Sequence, residues 1–86
     1  MAERRIGTVT HYFDRLGVAA MILTERLRVG DRIRVTGKTT DFVTTVDRMQ
    51  VDHADVSAAA PGDDVAVHVG QRAREHDAVL RIEDGA

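Results

Sequence analysis

The sequence predicts an all-β fold, a small six-stranded β-barrel, and three observations carry that prediction. Apolar residues recur at every second position: Ile33 and Val35 alternate with Arg32 and Arg34, and Val65, Val67 and Val69 alternate with Ala66 and His68. Turn signals break the pattern at Asp14-Arg15-Leu16-Gly17, Val29-Gly30-Asp31, Thr36-Gly37-Lys38, Ala60-Pro61-Gly62-Asp63 and Val69-Gly70-Gln71. The longest helix-compatible stretch, Asp55 to Ala60, is too short for more than a single turn. Short strands with exposed edges associate, and closing the sheet on itself removes the edges in a chain of this size.

Taken in order, the strands are expected at about 6–12, 18–24, 32–36, 40–52, 64–69 and 78–82, with short tails at 1–5 and 83–86. Two of the turns share one form, G-D-x-apolar-x-apolar: Gly30-Asp31-Arg32-Ile33-Arg34-Val35 and Gly62-Asp63-Asp64-Val65-Ala66-Val67. Glycine permits the reversal, and the aspartate side chain hydrogen-bonds the turn backbone. Pro61-Gly62 adds the residue pair that a type II turn prefers. At Thr36-Gly37-Lys38, Gly37 is expected to supply a positive φ to a hairpin turn.

Length and composition bound the rest. With 86 residues the chain is a single domain with one core, hiding roughly 60–65% of the surface its unfolded form exposes. It has no cysteine, which excludes disulfides and thiolate metal sites. No apolar run reaches ~18 residues, and no apolar stretch follows Met1-Ala2-Glu3-Arg4-Arg5, so a soluble, cytoplasmic protein with no membrane contact is expected. Net charge is −2, unevenly spread: residues 1–40 carry eight Lys and Arg against four acids, residues 41–86 four against ten. Tyr12, Phe13 and Phe42 are the only aromatics besides histidine, too few for a broad stacking platform on single-stranded nucleic acid.

Gly37-Lys38-Thr39 copies the tail of a phosphate-binding loop, but position 32, where that loop needs a glycine, is Arg32. The β-branched run after it reads as strand rather than as the helix whose N-terminus would face the phosphates. No nucleotide and no other cofactor is expected. His11, His53, His68 and His76 show no metal-ligand spacing, and no nucleophile elbow is present, so neither a metal site nor an enzyme is expected.

The order of Ile6-Gly7-Thr8-Val9-Thr10, Leu27 to Ile33, Ala60 to Val67 and Val79-Leu80-Arg81-Ile82 resembles the second domain of elongation factor Tu and related translational GTPases. Thr8 to Phe13, with Thr39-Thr40-Asp41-Phe42 and Arg48-Met49-Gln50, resembles the stand-alone elongation-factor-like proteins, and a similar barrel closes some collagenase-like peptidase-family enzymes that modify tRNA. The resemblance implies a Greek-key barrel of the translation-protein type, without the GTPase domain. It also places the family's two charged contacts to the aminoacyl end on Gln50 and His53, where neither charge is retained.

Arg26, Arg28, Arg32 and Arg34 form the candidate site. Strand phase puts Arg32 and Arg34 on one outer face, Arg26 and Arg28 can join from the preceding loop, and the guanidinium fork suits phosphate. The functional expectation is a non-catalytic, translation-associated module that contacts tRNA or another structured RNA through this basic face, with Gln50 and His53 as further candidates. The alternative is an accessory barrel that docks on a larger tRNA-modifying enzyme or translation factor with no RNA affinity of its own.

Overall fold

A computed structural model describes residues 2–83. Ten strands are present and no helix among the described residues: β1 Ala2–Phe13, β2 Val18–Leu23, β3 Leu27–Arg28, β4 Arg32–Thr36, β5 Asp41–Thr45, β6 Met49–Val51, β7 Ala54–Val56, β8 Ala58–Ala59, β9 Asp64–His68 and β10 Ala78–Glu83. The expected strand at 40–52 is two, β5 and β6, parted by Val46-Asp47-Arg48. The helix-compatible stretch at 55–60 is largely extended, in β7 and β8. Residues 2–5 and Glu83 belong to strands rather than tails, while Met1 and residues 84–86 lie outside the described residues.

The expected closed six-stranded barrel is also corrected. Eight strands form one antiparallel sheet in the order β5, β4, β10, β1, β2, β9, β6, β7, and β3 pairs with β8 in a separate two-stranded sheet. The ends of the large sheet, β5 and β7, do not pair, so it curls around its core without closing. The alternation that predicts the strands also sets the core: Ile33, Val35, Val65, Val67 and Val79 are essentially inaccessible, together with Ile6, Val9, Met21, Leu23, Leu27, Val46 and Met49. Tyr12 and Phe42 pack against this cluster from its margin.

The long strand β1 bends through two register shifts, one between Arg5 and Gly7 against β10 and one between Val9 and His11 against β2. Such bulges let one strand curl round a core. Gly7 is needed there because a Cβ would come within 2.6 Å of the Ile22 carbonyl oxygen.

The aspartate-closed turn occurs three times, twice with glycine before the aspartate. Asp31 Oδ2 accepts from the Arg28 N–H at 2.9 Å, Asp63 Oδ2 from Ala60 at 2.8 Å, and Asp77 Oδ2 from Arg74 at 2.8 Å. In each, the aspartate N–H donates back to the carbonyl three residues earlier at 3.1 Å. Gly30 and Gly62 take φ of 98° and 90°, and the third copy has His76 in their place at 74°. Sequence alone shows two copies because the third lacks its glycine.

Gly37 departs from expectation. No residue from Gly37 to Thr40 takes a positive φ. Instead the buried Asp77 carboxylate lies against the Gly37 Cα, where any Cβ would collide with Oδ1.

Two stability outcomes follow from these turns. Because His76 occupies the glycine position of a repeated turn, His76→Gly should change stability by less than about 1 kcal/mol, whereas the β-branched His76→Val should cost more than about 1 kcal/mol. Gly37→Ala should cost as much or more through its clash with Asp77, although its φ suits alanine. Urea unfolding of the three variants checks both; equal losses for His76→Gly and His76→Val would refute the shared turn.

Candidate docking surface

The predicted basic residues are only partly brought together. Arg32 and Arg34 share the outer face of β4, opposite Thr45 and Val43 of β5. Arg34 is not a free cation: its Nε and Nη2 each donate to the Asp41 carboxylate at 2.8 Å, and Nη1 lies 3.4 Å from Glu3 Oε2. The bidentate bonds to Asp41 hold the guanidinium's pKa above its ordinary value, and the same bonds hold the Asp41 carboxyl below its own. Arg28 lies on β3 in the small sheet, and the Arg26 carbonyl accepts from Arg81 Nη1 at 2.6 Å. Gln50 sits on β6, separated from β4 in the sheet by β10, β1, β2 and β9. His53 stands at the tip of the β6–β7 hairpin, where it and Asp52 take φ of 64° and 52°, the pattern of a type I′ turn. The six candidates therefore fall in three places.

Arg81, next to this face on β10, is not an exposed cation. Its side chain is 14% exposed, and besides the Arg26 carbonyl it donates to Glu83 Oε1 at 2.9 Å, which holds the Glu83 carboxyl below its ordinary value.

The more built feature is an open cleft of about 620 Å³ lined by Leu16, Val18, Asp47, Arg48, Met49, Gln50, Ala66 and His68. Adjacent strands explain its composition: β2 supplies Val18 opposite His68 of β9, and β9 supplies Ala66 opposite Gln50 of β6. The loop before β6 contributes Asp47 and Arg48, its path fixed by the His68 N–H donating to the Arg48 carbonyl at 3.0 Å. The polar side chains are braced. Gln50 Nε2 donates to Asp55 Oδ1 at 2.9 Å, Arg48 Nε approaches the same oxygen at 3.4 Å, and His68 Nδ1 lies 3.2 Å from Asp47 Oδ1. The Gln50 bond, then the Arg48 charge, holds the Asp55 carboxyl below its ordinary value. At the rim Leu16, in the β1–β2 turn, is 66% exposed.

The exposed His68–Asp47 pair faces no hydroxyl or thiol in the cleft lining, so no nucleophile stands beside it. No group of three or more His, Cys, Asp or Glu able to hold a metal occurs among the described residues. The sequence places His68 on the polar phase of its strand, where it is found, but Leu16 was hidden inside a turn signal. A large apolar residue among turn-formers was the available clue.

A smaller hollow of about 420 Å³ lies between the end of β1 and the loop before β10, lined by His11, Tyr12, Asp14, Arg72, Ala73, Arg74 and Glu75. His11 stands 3.6 Å from Glu75 and edge-on to Phe13, with ring centroids 4.5 Å apart. Charges of both signs line it, and Phe13 remains 43% exposed beside it.

Comparison with known proteins corrects the elongation-factor resemblance. No protein-family profile matches the chain. Over 80 residues, 92% of its length, it is 36% identical to an uncharacterized protease of Methanocaldococcus jannaschii, and it spans only 20% of that relative's length. Two crystal structures of the C-terminal domain of a Geobacillus thermoleovorans protein, whose name places it among the U32 peptidases, share the fold. One superposes with a TM-score of 0.86 at 18% identity, covering 93% of each chain. The other, a selenomethionine variant, gives 0.83 at 19% identity, covering 88% of this chain and 96% of that one. The chain is thus similar in sequence to part of an uncharacterized protease, and in fold to the C-terminal domain of the Geobacillus protein, rather than to elongation-factor-like proteins. The G-D turns and alternating strands that carried the resemblance report the architecture of a small β-domain, which unrelated functions share.

The braced carboxylates give a pH dependence. Asp41, Asp55 and Glu83 have lowered pKa values in the folded state, so they bind protons less readily there than in the unfolded chain. Their stabilisation is present above the unfolded values, near about 4, and is lost as pH falls through the folded ones. The urea midpoint should therefore fall below about pH 4, and by less in the Asp41→Asn, Asp55→Asn double variant; identical acid profiles would contradict this.

Proposed function

We propose that this chain is a non-catalytic accessory domain that docks on a larger protein through the cleft around Leu16, Arg48, Gln50 and His68. The observation that carries the reading is the relation of lengths: almost the whole chain aligns with a relative of which it spans one fifth. Solved domains of the same fold are the terminal domain of a protein named as a U32 peptidase. By analogy the partner is a peptidase-like catalytic domain, on the same polypeptide or on another. The cleft suits that role, with an exposed leucine at the rim, an apolar floor of Val18 and Ala66, and polar groups already ordered by Asp55 and Asp47. Pre-ordered side chains lose less entropy on binding, and a large apolar anchor ringed by polar groups is the usual make-up of a binding hot spot.

The test is a binding measurement between this domain and a peptidase-like partner from the same genome. Leu16→Asp with Arg48→Glu should weaken association at least about tenfold while leaving the melting temperature within a few degrees. Unchanged affinity would remove the cleft from the proposal, and the absence of any association would remove the partner class.

RNA contact is the second reading, favoured by Arg26, Arg28 and Arg32, which are exposed and make no ion pair within 4.0 Å among the described residues. It predicts tRNA retention on filters that falls with rising salt and is weakened more by Arg28→Glu with Arg32→Glu than by Arg72→Glu with Arg74→Glu. Equal effects of the two pairs would reject it.

A further inference from the structure

The large sheet ends on one side in β5, and the main-chain direction of this strand is fixed at both ends. The Gly37 N–H donates to the Thr40 carbonyl at 2.8 Å, and the Val46 N–H donates to the Asp31 carbonyl at 2.8 Å. Counting along the antiparallel ladder between these bonded pairs, Phe42 and Thr44 exchange hydrogen bonds with Val35 and Ile33 of β4. The N–H and C=O groups of Asp41, Val43 and Thr45 therefore point away from β4, along the open edge. No main-chain partner within the chain meets them among the described residues.

Natural edges of this kind are defended by lysine, proline, a bulge or an unpaired charge. The sequence Asp41-Phe42-Val43-Thr44-Thr45 has no lysine, proline or glycine, and its register against β4 runs without a shift. Its one charge, Asp41, is neutralised by the bidentate bonds from Arg34, and Val43 at its centre is 43% exposed. Arg34, named in the sequence as a phosphate contact, thus pairs the one charge that β5 carries.

The segment is also self-complementary. Turned about a twofold axis through Val43, it sets Val43 against Val43 of a second copy, Phe42 against Thr44, and Asp41 against Thr45. Each outward N–H then meets an outward C=O, and no like charges stand opposite one another. We propose that the outer edge of β5 pairs antiparallel with the same edge of a second copy of this chain, forming a twofold dimer centred on Val43. This surface is distinct from the docking cleft, and the dimer does not depend on that reading.

The test uses the 86-residue chain in sedimentation equilibrium, with circular dichroism confirming that each variant is folded. Wild type should dimerise with rising concentration. Val43→Lys and Val43→Glu, which place like charges directly opposite across the axis, should each raise the dimer dissociation constant by about tenfold or more, and mixing the two should restore a heterodimer. Val43→Pro, which removes an outward N–H and no bond to β4, should be folded and monomeric. A wild-type monomer at concentrations up to about 1 mM, the affinity below which a pairing is negligible, would overturn the proposal. So would charge variants that dimerise as wild type does, or that associate no better when mixed. Strand capture from an unrelated protein, with wild type monomeric, counts against it equally.

Discussion

The seat of the Asp77 carboxylate is the constraint on which the rest of the arrangement depends. Asp77 is one of two polar side chains buried among the described residues, the other being Thr40 of the neighbouring hairpin. Its Oδ2 closes the turn before β10 by accepting from Arg74, while its main-chain carbonyl accepts from Val9 at 2.9 Å beside the second bulge of β1. The other face of the carboxylate fills the space a side chain at position 37 would occupy. One residue thereby joins the end of β1, the entry to β10 and the β4–β5 hairpin. A buried carboxylate without such partners would be costly, so the glycine and the turn belong together.

The anchor explains why Gly37-Lys38-Thr39 resembles a phosphate loop without being one. The glycine answers to Asp77, from a distant part of the chain, and the lysine stands exposed at a hairpin tip. A local pattern gives no sign of a partner forty residues away. For the same reason the third turn escaped a reading built on glycine, since His76 takes the left-handed conformation that its two counterparts assign to glycine.

Alternation made the strand phases legible. Ile33, Val35, Val65 and Val67 are buried and His68 is exposed, as period two requires. Pairing was less legible. Strands β3, β7 and β8 are two or three residues long, too short for periodicity to register, and whether β5 and β7 meet depends on curvature, which β1 sets through its bulges. Strand phase also placed Arg32 and Arg34 on one face correctly but was silent on charge. Asp41 reaches Arg34 diagonally across the hairpin, and that contact turns a candidate phosphate ligand into the partner of the one charge on β5. Leu16 and the braced side chains of the cleft, brought together from β2, β6, β9 and two loops, lie beyond what spacing in the chain discloses.

Native-state amide hydrogen exchange on the dilute 86-residue chain tests the anchoring role of Asp77 most directly. The amides of Val9 and Arg74, which donate to Asp77, and that of Gly37, which closes the hairpin packed against it, should exchange only by global unfolding, whereas those of Asp41, Val43 and Thr45, which have no main-chain partner on the free edge, should exchange with little protection and without any opening step. If Arg74 and Gly37 exchanged as fast as Val43, the Asp77 seat would be peripheral to the fold rather than its anchor.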